Sequence, residues 1–146
     1  MKPVQNWHTY TTRLESPEQV ALMPRVSGVI EHIAFIEGDK VKQGDLLFKL
    51  DDRPFVAVVA SLEAQISSAK AALVQAQSEA KRAVRLTERQ AISTEQAESR
   101  TSTLRQRDAQ LAALQAQLTA AQLDLEFTAI RSPIDGIISR ANITKG

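Results

Sequence analysis

The spacing of the apolar residues changes twice along the chain, from short runs to a long helical period and back again. Between residues 20 and 50 the apolar residues form short runs, which Gly28, Gly38-Asp39 and Gly44-Asp45 interrupt. Short apolar runs bounded by glycine and aspartate predict several short strands joined by turns. The same kind of pattern returns after Glu126, with a strand predicted over residues 127–130, a turn over 132–136 and a further strand from Ile137.

The middle of the chain has the period of a coiled coil. Asp51 and Asp52 precede Pro54, an order of capping residue and early proline that predicts the start of a helix. Beyond it, ten residues alternate spacings of four and three: Phe55, Val59, Leu62, Ile66, Ala69, Leu73, Ala76, Ala80, Ala83 and Thr87. This is an a/d row, called the seam below. Its side chains shrink to alanine, so we expect close helix approach at the far end.

A second helix of similar length follows a short break at residues 89–92. Ser93, with Gln96 three positions later, forms a capping box that predicts its start. Its leucines recur at strict sevens as Leu104, Leu111, Leu118 and Leu125, with Leu114 and Ala121 at the companion positions. Each predicted helix has about 33 residues and spans about 50 Å. Periodicity alone fits an antiparallel hairpin and a coiled coil that only dimerises; the flanking sequence favours the hairpin.

That flanking sequence is a repeat. Residues 24–38 and 133–146 align with Gly28 on Gly136 and Gly38 on Gly146. Apolar positions then match as well, with Val29 on Ile137, Ile30 on Ile138 and Phe35 on Ile143. The second copy is the shorter of the two, and we expect the sequence to be part of a longer protein. The sequence therefore predicts an α+β fold in which a helical hairpin is inserted between two halves of a small β module.

Composition and charge exclude several function classes. The chain has no cysteine, a net charge of +1 and no run approaching about 18 apolar residues, which predicts a soluble chain without thiolate chemistry. His8 and His32 have no ligand cluster around them, and Met1 and Met23 do not form a set of copper ligands. The basic outer hairpin lacks the aromatic residues expected of a nucleic-acid surface. We expect no enzyme activity, metal, cofactor or nucleic-acid partner.

The two glycine-punctuated copies resemble the halves of a biotinyl/lipoyl-type domain, a flattened β sandwich. Members that carry a cofactor attach it to a lysine at the hairpin between the halves. Here Asp51-Asp52-Arg53-Pro54 and the helical insertion occupy that place, and the nearest lysine, Lys49, falls inside a predicted strand. A carrier domain remains the alternative from a different functional class.

A lipoyl-like domain interrupted by a helical hairpin is similar to the periplasmic adaptors, or membrane fusion proteins, of tripartite efflux pumps. Residues 24–28, 37–38, 132–136 and 142–146 are similar to those of adaptors of resistance-nodulation-division (RND) pumps. The resemblance implies a subunit that links an RND inner-membrane transporter to a TolC-like outer-membrane channel and assembles as a hexamer. It implies a periplasmic location, with the full-length protein anchored to the inner membrane. An adaptor of an ABC transporter or type I secretion system is the alternative within this class.

The resemblance also divides the chain and marks a docking site. It implies a strand or linker toward further domains over residues 1–18, lipoyl-like halves over 19–52 and 127–146, the latter truncated, and the hairpin over 53–126. Adaptors of this family share an arginine, a leucine four residues on and a serine seven later near the hairpin tip. Arg82, Leu86 and Ser93 have this spacing. The resemblance implies that they dock onto the channel, with Ser93 also serving as the N-cap.

Overall fold

The computed structural model describes residues 20–139, in which two helices separate three strands from two. The strands are β1 (Ile30–Ile33), β2 (Lys40–Val41), β3 (Leu46–Leu50), β4 (Ala129–Arg131) and β5 (Gly136–Ile137), and the helices are α1 (Arg53–Glu88) and α2 (Thr94–Glu126). This order confirms the predicted α+β fold with an inserted hairpin. The expectations on residues 1–18, His8 and the end of the second repeat lie outside the described residues.

Each of the two sheets combines strands from both sides of the insertion. One sheet has the order β1-β3-β4 and the other pairs β2 with β5, all antiparallel. The central strand β3 carries most of the β core, because Leu47, Phe48 and Leu50 are buried. Phe35 packs edge-on against Phe48, with ring centroids 5.0 Å apart. The two halves therefore form one β module, which neither half can complete alone.

Two turns of the first half are built in the same way. In residues 36–39 the backbone N–H of Ile36 donates to Asp39 Oδ2, and the Asp39 N–H donates back to the Ile36 carbonyl. Residues 42–45 repeat both hydrogen bonds with Asp45 as the acceptor. The third residue of each turn is a glycine with a φ near +90° (93° at Gly38 and 92° at Gly44), a conformation that is costly for other residues. The glycine–aspartate pairs that marked turns in the sequence are thus explained.

Backbone hydrogen bonds join the second half to these turns. The Gly44 N–H donates to the Ser132 carbonyl, and the Ser132 N–H donates to the Asp45 carbonyl. Asp135 Oδ1 accepts from the Gln43 N–H at 2.6 Å, across 92 residues of sequence. These bonds hold the second half of the β module against the first.

The strand predicted over residues 127–130 starts two residues later than expected. Phe127 is the C-cap of α2, and the Thr128 hydroxyl donates to the Leu125 carbonyl, so both residues complete the helix end. The strand predicted from Ile137 starts one residue earlier, at Gly136. Both differences arise because hydrogen-bond partners, which local patterns do not reveal, decide where a strand begins.

The two helices pack against each other along the predicted seam. All ten seam residues of α1 are buried or half-buried, and Ile66, Ala76, Ala80 and Ala83 are the most buried of them. On α2 the leucines at strict sevens are half-buried and Ala121 is buried. Because α1 packs on α2 of the same chain, the structure supports the hairpin over a coiled coil that only dimerises between chains.

Helix α1 is both long and apolar. Although its apolar residues form no long run, its length and an 18-residue window of mean hydropathy 1.2 meet the requirements of a membrane span by composition alone. Its seam row faces α2, however, and the helix also carries Glu63 and Lys70. We therefore interpret α1 as one arm of the hairpin.

The predicted capping role is wrong for Asp52, whereas Asp51 does bind the first backbone N–H of α1. Asp52 occupies the N-cap position with αR geometry, and its side chain makes no capping hydrogen bond. It lies instead 3.4 Å from Lys49 Nζ. Asp51 accepts from the Arg53 backbone N–H and from two guanidinium nitrogens of Arg53. These hydrogen bonds hold the Asp51 pKa at about 2, below its ordinary value of 3.8.

Candidate functional site at the hairpin tip

Helix α1 ends at the tip in a Schellman motif. The Gln90 N–H donates to the Thr87 carbonyl and the Ala91 N–H donates to the Leu86 carbonyl, which are the two hydrogen bonds of that motif. Gln90 has a φ of 54°, the left-handed conformation for which glycine is usual. The geometry closes the helix end within a few residues and fixes the entry to α2.

Helix α2 begins with the predicted cap. Ser93 has extended backbone geometry, and its Oγ accepts from the Gln96 N–H at 3.2 Å. Glu95 in the first turn adds a favourable charge at the positive end of the helix dipole. The tip is therefore closed on both sides by local hydrogen bonds, so its shape is determined by residues 86–96.

The structure brings together two of the three residues that the resemblance marks. Arg82 is exposed and Leu86 half-buried, and both line a shallow depression on α1, together with Ser78, Lys81, Arg85 and Arg89. Ser93 is exposed in the turn and does not line the depression. A partner that contacts all three would therefore meet the end of α1 and the turn at once.

The depression carries more positive charge than Arg82 alone supplies, because three further basic residues line it. Lys81, Arg85 and Arg89 lie at spacings of four, so their side chains follow one line on the exposed surface of the helix. Like charges at this spacing destabilise an isolated helix by about 0.2–0.5 kcal/mol for each pair. Sequence reasoning noted these residues as a basic region but did not include them in the site. Their spacing is the signal that could have identified them.

An ion pair ties the two helices together just below the tip. Arg100 Nη1 lies 2.6 Å from Glu79 Oε2, and Gln75 Nε2 donates to Glu79 Oε1 at 3.1 Å. The hydrogen bond from Gln75, and then the charge of Arg100, lower the Glu79 pKa. Glu79 therefore remains a carboxylate that bridges α1 and α2.

At the other end of the hairpin, Lys49 occupies the position most relevant to the carrier alternative. It lies within β3, and its ammonium group is 3.5 Å from Glu31 Oε2 and 3.4 Å from Asp52 Oδ2. The hydrogen bond to Asp52 and the two carboxylate charges raise the Lys49 pKa. A lysine held in this way is charged and lies off the junction, unlike the lysine of a carrier hairpin. In residues 20–139 no cluster of metal-ligating side chains occurs.

Comparison with known proteins gives the family. The family described as "RND MFP, barrel-sandwich hybrid domain" matches residues 18–146. The chain therefore belongs to the barrel-sandwich hybrid family of RND membrane fusion proteins.

Individual relatives match shorter segments. Multidrug resistance protein MdtN of Escherichia coli K12 is 42% identical over 53 residues, which are 36% of this chain and 16% of that protein. The efflux pump periplasmic linker BepD of Brucella suis is 34% identical over 59 residues, or 40% of this chain and 15% of that protein. These matches thus span about a sixth of the length of the curated relatives.

Solved structures share the architecture. MacA from Actinobacillus actinomycetemcomitans aligns with a TM-score of 0.53 at 27% identity, over 84% of this chain and 42% of that one. The membrane fusion protein Spr0693 from Streptococcus pneumoniae aligns with a TM-score of 0.66 at 22% identity, over 81% of this chain and 48% of that one. The second likeness supports the fold alone.

Proposed function

We propose that this chain is the barrel-sandwich and hairpin part of a periplasmic adaptor subunit of an RND-type tripartite efflux pump. The family match over residues 18–146 is the observation that carries the proposal. The β module provides a rigid base, and the two long helices carry the tip about 50 Å away from it. In this role the protein links an inner-membrane transporter to an outer-membrane channel without enzymatic chemistry. The full-length protein works in the periplasm and is anchored to the inner membrane.

The tip docks onto a TolC-like channel through Arg82, Leu86 and Ser93. Arg82 is exposed and offers a planar fork of donors to carbonyls and carboxylates at the ends of partner helices. Leu86 adds an apolar contact beside it, since both side chains line the same depression. Lys81, Arg85 and Arg89 surround them with positive charge, which favours an acidic partner surface.

The docking role is tested by charge reversal at the tip. Arg82→Asp or Leu86→Asp in the full-length protein should abolish drug efflux in cells that lack the native adaptor. Loss of an arginine or leucine anchor from an interface centre costs about 2 kcal/mol or more, roughly thirtyfold in affinity. Arg105→Asp is the matched control, because Arg105 is exposed on α2 away from the tip. Full efflux by the tip variants, with crosslinking to the channel intact, would refute the docking role.

We further propose that copies of the subunit pack side by side in a ring, as a hexamer in the assembled pump. Lys81 and Arg85 are not part of the seam by which α1 faces α2. At about 100° of rotation per residue, both side chains point away from α2. Glu95 and Glu98 on α2 are also exposed. Glu79 of α1 lies beside Arg100 of α2, and the residue numbers run in opposite directions along the two antiparallel helices. Residue 85 therefore lies beside about residue 94, and residue 81 lies beside about residue 98. The hairpin thus has a basic edge and an acidic edge at the same height.

A further inference from the structure

Glu79 has two arginines near it, one on each helix of the hairpin. Arg100 approaches from α2, with its Nη1 2.6 Å from Glu79 Oε2. Arg82 lies three residues further along α1, a spacing that places side chains of one helix next to each other. Glu79 is also the only carboxylate within four residues of Arg82 on either side. One carboxylate therefore has two candidate partners, and one of them is a residue of the proposed docking site.

In the structure, Arg100 is the arginine that pairs with Glu79. Each Glu79 oxygen has a donor, Arg100 on Oε2 and Gln75 Nε2 on Oε1 at 3.1 Å. Arg82 is exposed, and within residues 20–139 it makes no ion pair or hydrogen bond. The Glu79 pKa is lowered most by the hydrogen bond from Gln75, then by Arg100 and least by the charge of Arg82. Arg82 thus keeps all its donors for a partner.

The alternative pair would form if Arg100 were absent. Glu79 is half-buried, so loss of Arg100 would leave a partly desolvated carboxylate without its cation. Arg82 is the only basic residue three or four positions from Glu79, whereas Lys81, two positions away, does not face it. Arg82 would therefore turn toward Glu79, and a partner at the depression would compete with that carboxylate for its guanidinium.

We infer that Arg100 keeps Arg82 available to the partner by occupying Glu79. Arg100 is thus a positioning residue for the tip, because it acts through Glu79. Arg107 lies on the same heptad row of α2, but its Nη1 donates to Gln110 Oε1 on its own helix at 3.2 Å. The availability of Arg82 is a property of the hairpin, and only its effect on docking rests on the proposed function.

The rate at which phenylglyoxal modifies Arg82 in the full-length protein tests this inference, because an ion pair slows the reaction of a guanidinium. Mass spectrometry gives the rate relative to that of Arg89, which has no carboxylate three or four residues away in the sequence. Arg100→Gln should lower the relative rate about twofold, the effect of one exposed ion pair at this spacing. Adding Glu79→Gln should restore it, since glutamine has no charge to hold Arg82. Arg107→Gln is the matched control and should change nothing.

The outcomes separate this role from the proposed function. Equal rates at Arg82 in the unaltered protein and in Arg100→Gln would overturn the inference. A double variant that reacts as slowly as Arg100→Gln would also overturn it, because the change would then come from a damaged hairpin and not from Glu79. If the rates behave as expected while Arg82→Asp retains full efflux, the role of Arg100 stands and the docking role fails.

Discussion

At the residue scale, single backbone and side-chain choices determine the ends of the hairpin. Gln90 adopts a left-handed conformation that glycine usually provides. The Schellman motif at the tip therefore forms without the glycine that usually marks it. At the base, Asp51 and Asp52 sit where a cap is expected, yet their carboxylates bind Arg53 and Lys49. In both places the residue type alone gives an incomplete or wrong expectation, because the surrounding chain decides what the residue does.

The strain at Gln90 leads to a prediction about stability. Gln90→Gly should raise the free energy of unfolding by about 0.5–1 kcal/mol, because glycine adopts a positive φ without the steric cost of a Cβ. Chemical denaturation followed by circular dichroism measures the change. Gln90→Ala keeps the Cβ and should give no such gain. Equal stability of the glycine and alanine variants would contradict the explanation by strain.

At the element scale, the two helices of the hairpin are held together by a seam whose side chains become smaller toward the tip. Hydrogen bonds close the turn at the tip. The side chains at the base are Phe55 and Leu62, whereas those near the tip are alanines, which bury less apolar surface. The tip half therefore depends more on its cap, its turn and the Glu79–Arg100 ion pair. The sequence predicted the seam and the cap, but the ion pair required the structure.

Ser93 caps α2 and is proposed to dock onto the channel, and substitutions separate the two roles. Ser93→Ala should cost about 1 kcal/mol of stability, because the Gln96 N–H loses its acceptor. Ser93→Asp should keep most of that stability, since aspartate caps as well as serine. Ser99→Ala, at an exposed position inside α2, is the control and should change stability little. Thermal unfolding and drug efflux are measured together.

The two readouts identify which role matters for function. If Ser93 also contacts the channel, Ser93→Asp should keep its stability and lose efflux. Efflux that follows stability in every variant would assign Ser93 to capping alone.

At the scale of the whole molecule, the insertion divides a β module without disrupting it. Strand β3 pairs with β1 from the same half and with β4 from beyond the hairpin. Next to the helix ends, the Leu50 N–H donates to the Thr128 carbonyl. The hairpin thus leaves and re-enters the module at neighbouring strands. This arrangement lets a long arm project from a compact base.

The proposed ring gives a prediction at this scale. Lys81→Glu with Arg85→Glu reverses the basic edge, and Glu95→Lys with Glu98→Lys reverses the acidic edge. Each reversal alone places like charges between neighbouring copies and should reduce chemically crosslinked multimers of the full-length protein. All four substitutions in one chain should restore them, because opposite charges face each other again. Lys70→Glu, exposed on α1 far below the tip, is the control. Multimers that fail to return in the fourfold variant would argue against this edge-to-edge contact.

The sequence alone established the features that depend on neighbours within a few turns of chain. The seam from Phe55 to Thr87, the Ser93 cap and the glycine–aspartate turns follow from local period and backbone preference. Arg82, Leu86 and Ser93 were named from spacing and resemblance, and their docking role stays a prediction. The tip turn could not be predicted, because Gln90 lacks the glycine that usually signals it.

Tertiary structure alone decided the features that depend on residues far apart in the chain. It selected the hairpin within one chain, paired Arg100 rather than Arg107 with α1, and joined Gln43 to Asp135 across 92 residues. It also gave the Asp52 carboxylate Lys49 as its partner in place of the helix end, while Asp51 binds both the backbone N–H and the guanidinium of Arg53. The physical reason is the same in each case. A local period specifies which face of an element is apolar, but the element or side chain that meets it is chosen when the whole chain packs.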